Sequence, residues 1–281
     1  LLDTWSLTSL KRAGDQGGVG RLKFLGCLGY SACSAMTALA VGRSNAAALL
    51  PVNAAVLLLT AAILMLVHEK APERKSRLDW KAVGSLLRDR DFLFLLGYVF
   101  LMQIPHRMAY TFFATYITRL GGGRELVGFT SAVMFLSEGI MLYFSKRLFA
   151  HFRPQLVVLG SSMFFCLWQV LYALIPSAPW VVGIAVLDGP SYGLFCIGML
   201  YTLDAMAPGL LRATYQTVAY AVYFGLAGIA GNALGGFLIG AVGYRTMYWL
   251  GVALTAASSI GYGLLIKRKG KENHASAGYC R

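Results

Sequence analysis

Eight stretches of about twenty residues carry almost nothing but apolar side chains, and they constrain the chain more than any motif in it. A hydrocarbon core about 30 Å thick is crossed by roughly twenty residues of helix, and lipid gives the backbone no hydrogen-bonding partner outside a helix or a closed barrel. The runs lie at approximately 22–42, 46–67, 91–118, 126–145, 155–175, 179–203, 213–240 and 246–266. Runs such as Val52 to Val67 and Leu156 to Ile175 are apolar on nearly every side, whereas a helix of a soluble bundle keeps a polar stripe. With 57% of its 281 residues apolar and only 13% charged, the chain has more apolar surface than one soluble core could hide. The expected fold is an all-α membrane protein with eight transmembrane helices. The two longest runs, 91–118 and 213–240, must tilt or extend past the hydrocarbon.

The formal net charge is +13. A nucleic-acid binder gathers such charge in a stripe or an arm; here the cations sit between the apolar runs. Taking the N-terminal segment, every second loop and the tail as one face places twenty of the twenty-five Lys and Arg there. The opposite face holds Arg43, Arg119, Arg124 and Arg245, and Arg107 alone lies inside a run. Cytoplasmic loops carry the excess of Lys and Arg, so both termini are expected in the cytoplasm, with the chain in the plasma (inner) membrane. Lipid is then an obligatory partner and nucleic acid is not one.

The organisation that follows is two spans (1–67), a basic cytoplasmic linker (68–90), six spans (91–266) and a cytoplasmic tail (267–281). Within the linker, Trp80, Val83, Leu86 and Leu87 recur at helical spacing, which predicts a short interfacial helix over 79–87. The chain begins Leu1-Leu2-Asp3 without a signal peptide and reads as a fragment of a longer protein.

Two spans, a basic linker and six further spans suggest a six-plus-six arrangement without its first four spans, and three stretches carry a resemblance that agrees. Gly20, Arg21, Lys23, Gly26, Cys27, Gly29 and Tyr30 fit the pattern at the start of span five in one branch of the major facilitator superfamily, the branch of lactose permease, nucleoside–proton symporters and phenylpropionate permeases. Val19 stands where that pattern has an aromatic residue, and Lys23 where it usually has Arg. Leu187 to Phe195 looks like the branch's span ten. Arg212-Ala213-Thr214-Tyr215-Gln216, followed by Gly225, Gly228, Gly231, Gly235-Gly236 and Gly243-Tyr244-Arg245, looks like its span eleven and the exit from it. The resemblance implies a major facilitator fold lacking its first four helices: two bundles around a central cavity, substrate near the midplane, and alternating access by rocking. It implies secondary transport of a small polar organic solute, such as a saccharide, nucleoside or aromatic acid, coupled to protons by symport.

Ionisable groups inside spans are costly and mark cavities or partners. The chain has His106 and Arg107 in the third run, Glu138 in the fourth and Asp188 in the sixth. At about 1.5 Å per residue, Arg107, Glu138 and Asp188 all lie roughly 13–18 Å from the outer ends of their helices, near the midplane. Glu138 or Asp188 is expected to titrate, with Arg107 as counter-charge or anion ligand; the alternative is a structural ion pair between helices. His106 follows Pro105, where a kink is expected. The resemblance implies that Lys23 contacts substrate and that the Tyr30 ring stacks on it; otherwise Lys23 reaches the interface and Tyr30 packs. Glu138 fits the acidic position of span eight in the branch. The His-x-x-Glu pairing of span ten in lactose permease reads Asp188-Gly189-Pro190-Ser191 here, so its sugar specificity and proton scheme do not carry over whole. Gln103, Tyr110, Gln169, Tyr192 and Asn232 are further polar groups within spans, and Gly231-x-x-x-Gly235 and Gly236-x-x-x-Gly240 permit close helix packing.

Other chemistries lack their residues. Gly17-Gly18-Val19-Gly20 has no following Lys-Ser/Thr and is no phosphate loop. The five cysteines form no CxxC pair and the four histidines no HExxH, so neither a metal nor another cofactor is expected. The chain is not expected to be an enzyme. The alternatives to a transporter are a membrane-embedded enzyme or an inactive fragment of a transporter.

Overall fold

A computed structural model describes residues 18–41, 49–66, 84, 86, 88–207 and 211–278, and every regular element among them is helical. In chain order the helices are α1 (Gly18–Val41), α2 (Leu49–Leu66), α3 (Arg90–Arg119), α4 (Arg124–His151), α5 (Pro154–Leu174), α6 (Trp180–Ala185), α7 (Leu194–Met206), α8 (Arg212–Tyr220) and α9 (Ala227–Gly278). A π-helical segment, Gly189–Gly193, joins α6 to α7, and a second, Ala221–Leu226, joins α8 to α9. The first six apolar runs expected from the sequence fall on helices of similar bounds, whereas the runs at 213–240 and 246–266, expected as two spans, lie in one continuous helical stretch from Arg212 onward. The interfacial helix expected over 79–87 and most of the linker lie outside the described residues, as do residues 1–17.

Among the described residues, six helical segments are long and apolar enough to cross a membrane: Gly18–Leu39, Arg90–Arg119, Arg124–His151, Pro154–Leu174, Trp180–Met206 and Arg212–Arg268. The last has 57 residues. At about 1.5 Å per residue a straight helix of that length would run to roughly 85 Å, far beyond one bilayer crossing. Gly243 interrupts it with φ 82° and ψ 172°. A Cβ there would meet nothing within 4 Å, so glycine serves the backbone conformation and not the space. α2 is 18 residues of purely apolar or neutral side chains, about 27 Å of helix.

α3 starts at Asp89, whose side chain accepts from the Asp91 N–H at 2.9 Å and caps the free N–H groups of the first turn. It then runs through two buried clusters stacked along the bundle. Phe92, Leu95, Tyr98, Val99 and Met102 pack with Val158 and Phe165 of α5, Phe195, Met199 and Leu203 of α7, and Tyr215 and Ala219 of α8. Further along, Met108, Phe113, Tyr116 and Ile117 pack with Trp168 and Tyr172 of α5, Val181 and Ile184 of α6, and Met247 and Tyr248 of α9. Ile104 belongs to the second cluster, whereas Gln103, Pro105, His106 and Arg107 belong to neither.

α1 packs along α4 through small side chains. A Cβ on Gly128 would strike Ala38, one on Gly139 would reach Cys27 and Phe24, and one on Gly20 would collide with the backbone of Leu142. Ser31 Oγ donates to the Ala132 carbonyl at 2.7 Å across this contact. Where lipid is as apolar as leucine, such close approach and interhelical hydrogen bonds replace the hydrophobic effect as the cause of association. Elsewhere α1 presents Leu25, Met36 and Leu39 outward, and Val56 to Leu59 of α2 are exposed.

Candidate functional site

The midplane polar groups converge on the level between the two clusters, carried by α1, α3, α4 and the two π segments. Pro105 and His106 are buried inside α3. The His106 Nδ1–H donates to Gln103 Oε1 at 3.1 Å, one turn back. The imidazole lies flat on Tyr192 (centroids 4.6 Å apart, planes 14° apart) and meets the edge of Phe165 at 5.0 Å and 84°. With ring and nitrogen both engaged and 4% of its surface exposed, His106 serves here as a packed aromatic.

The acids approach through glycine. A Cβ on Gly189 would collide with the backbone of Ser137, and one on Gly193 would sit 3.2 Å from Glu138 Cγ. Only a bare backbone lets the first π segment lie this close to α4. Ser137 Oγ locks the contact by donating to the Val186 carbonyl and accepting the Gly189 N–H at 3.1 Å. Asp188 and Glu138 are therefore held on touching backbones, 6% and 8% exposed, and each lies within the electrostatic reach of the other. Neither carboxyl has a hydrogen-bond or salt-bridge partner among the described residues. The cation within electrostatic reach of Glu138 is Lys23, from the first turns of α1.

Arg107 makes no ion pair with either acid among the described residues. Its guanidinium carbon lies 4.6 Å from the centroid of the Phe224 ring, in the second π segment. Its Nε and Nη2 are buried and have no acceptor among the described residues. Gly231 makes room beside it, since a Cβ there would meet Arg107 Cβ and the Ile104 carbonyl. Tyr30 is half exposed, and its ring rests against Phe135 of α4 with centroids 3.8 Å apart. Of the other polar residues, Asn232 Oδ1 accepts from Thr111 at 2.7 Å and Gln169 donates to Thr255 at 3.0 Å, both fastening helix to helix. Gly235 packs on Met108 and Phe112, whereas Gly240 faces open space, so the Gly231–Gly235 pair is the one that closes a helix contact.

The structure thus brings Glu138, Asp188 and Lys23 together, fixes His106 beside Tyr192, and leaves Arg107 on an aromatic face. Sequence reasoning missed Ser137 and Phe224. A serine beside an intramembrane acid was a signal for the first; Phe224 reads as one more lipid-facing aromatic. No described group of His, Cys, Asp and Glu is arranged to hold a metal ion.

Several helices of membrane-crossing length and apolar composition make this an integral multi-pass membrane protein. The family model described as MFS_1 like family matches residues 1–250, and the chain belongs to that family, a family of membrane transporters within the major facilitator superfamily. No curated protein matches the chain.

Proposed function

We propose that the protein is a proton-coupled secondary transporter of a small polar organic solute, with Glu138 and Asp188 as the proton-carrying pair. The observation that carries this is the pair itself: two carboxyls, each under a tenth exposed, held on touching backbones without a hydrogen-bond partner among the described residues. Two buried carboxylates near one another are stable together only if a proton or a cation compensates them. Lys23 supplies one positive charge, so a proton is the natural second. Lys23 and Glu138 lie on different helices, α1 and α4. A rocking motion that slides α1 along α4 would change their separation and with it the hold on that proton, which is the linkage a symporter needs.

In this reading the chain has eight spans, with Gly243 dividing the last two and both termini cytoplasmic, in line with the twenty basic residues on that side. The outward faces of α1 and α2 support their membership of a second bundle whose other helices precede them. The solute cavity then lies between the bundles.

The test is uptake into vesicles holding the full-length protein, under an imposed pH gradient, with saccharides, nucleosides and organic acids as solutes. Gradient-driven uptake is expected, lost with Glu138→Gln or Asp188→Asn while gradient-free exchange of solute persists. Uptake indifferent to the gradient and to both substitutions would make the acids structural and the protein a facilitator.

A further inference from the structure

We propose that Arg107 is the anion-binding group of the solute site and that the transported solute is a small organic carboxylate. The inference deepens the transporter reading, on which it rests, by choosing the substrate class.

Arg107 is the eighteenth residue of the 30-residue α3, roughly 18 Å from the nearer end. A guanidinium at that depth is costly unless something compensates its charge. No described residue does so fully. Among the described residues no carboxylate lies within ion-pair distance of it, Glu138 already faces Lys23, and α3 holds no acid beyond its first turn. Two of its nitrogens are buried without an acceptor. The Phe224 face offsets part of the charge but accepts no hydrogen bond in the guanidinium plane. What is missing is an acceptor of full negative charge, and the fork of a guanidinium matches a carboxylate by two parallel hydrogen bonds.

The surroundings fit an occupant of that kind. Tyr110, one turn along α3, is 43% exposed, and Phe224 is 47% exposed. A tyrosine hydroxyl so deep in a span, facing hydrocarbon, would lack a partner; facing a cavity, it lies beside water or solute. Tyr110 and Tyr192 both lie against the ring of His106, the residue before Arg107, so the aromatic surface adjoins the charge along α3. A carboxylate would sit on Arg107, with the apolar part of the solute against Tyr110 and Phe224. The charge accounting is then complete: Lys23 and a proton for the two acids, and the solute anion for Arg107.

The experiment compares acids with their neutral amides. Benzoate, 3-phenylpropanoate, indole-3-acetate and acetate, each beside its amide, are measured for binding to the full-length protein in lipid nanodiscs and for uptake into vesicles. The wild type is expected to take at least one acid tenfold or more better than its amide. Arg107→Gln should abolish that preference while leaving residual amide binding unchanged; Arg107→Lys should retain part of it. Phe224→Leu keeps the charge and removes the ring, and should weaken binding while preserving the acid-over-amide preference. Circular dichroism and elution volume report whether each variant is folded, and Phe224→Leu together with Arg107→Lys keep the test valid if Arg107→Gln is not.

No acid preferred over its amide by the wild type, or a preference that survives Arg107→Gln, would overturn the assignment. Acid binding that needs Arg107 without any response to a pH gradient would retain the anion site and remove proton coupling. Gradient-driven uptake of a neutral solute, indifferent to Arg107, would do the reverse.

Discussion

At the scale of single residues, the site depends on what surrounds each titratable group more than on its identity. His106 is the clearest instance. Its position beside Pro105 in mid-span invites a proton role, yet its ring is stacked on Tyr192 and its Nδ1–H is taken by Gln103. His106→Phe should therefore keep the pH-gradient response of uptake, with a thermal-melt loss corresponding to about 1 kcal/mol for the unsatisfied Gln103 oxygen. A flattened response would return His106 to the proton path. Gly193 is the opposite case, unremarkable in sequence and tightly constrained in space. Gly193→Val places methyl groups against Glu138 Cγ and its backbone. The expected destabilisation is about 1–3 kcal/mol, with a loss of uptake at least as large as that of Glu138→Gln. The acids were legible because carboxylates in apolar runs are rare. Their geometry was not, because it depends on Ser137 of α4 and on two glycines, Gly189 and Gly193, that turn toward it only once the first π segment has formed. Arg107 was legible as an intramembrane cation, whereas its separation from the acids was not: depth along a helix can be counted from sequence, but the direction in which a side chain leaves the helix cannot.

At the scale of elements, helix positions were almost fully readable, since an apolar run long enough to cross lipid has one backbone solution. The π segments were not. Both Gly189–Gly193 and Ala221–Leu226 are extra-residue detours inside helices, and one carries Tyr192 and the other Phe224. Such detours recur at functional sites because they re-aim side chains without ending a helix. Glycine spacing gave only half of the helix contacts. The same four-residue repeat occurs at Gly231–Gly235 and at Gly236–Gly240, but only in the first do both glycines pack closely on α3; Gly236 makes ordinary contact with Phe112 and Gly240 meets nothing. Gly231→Leu should lower the melting temperature and displace Arg107, whereas Gly240→Leu should do neither. Comparable losses from both would mean that α9 is turned differently against α3. In the same way, Gly139→Leu should part α1 from α4, measured as lost cross-linking between cysteines placed at Ser31 and Ala132.

For the molecule as a whole, the distribution of charge between alternate loops predicts its orientation in the membrane. An epitope on the C-terminal tail should be reached by antibody only in permeabilised cells, and a cysteine at Gly122 should react with an impermeant thiol reagent in intact ones. The reverse labelling would invert the bundle, moving Lys23 from the inner to the outer end of α1. That the apolar runs form helices of membrane-crossing length could be read from composition. The choice of neighbours could not, because a lipid-facing flank and a bundle-facing flank are built from the same residue types, and only the glycine and serine contacts tell them apart.

The partnership of α1 with α4 also sets a timetable. Ser31 and its acceptor Ala132 are 101 residues apart. At a synthesis rate of about 5–20 residues per second, α1 enters the membrane roughly 5–20 s before the surface it fits has been made. Through that interval its Ser31 hydroxyl, its Lys23 ammonium and its small-residue seam face whatever else is present. α1 is thus exposed to quality control for longer than a helix whose partner follows it directly, and substitutions along its seam should reduce the amount of protein that accumulates before they alter the rate at which each surviving molecule works.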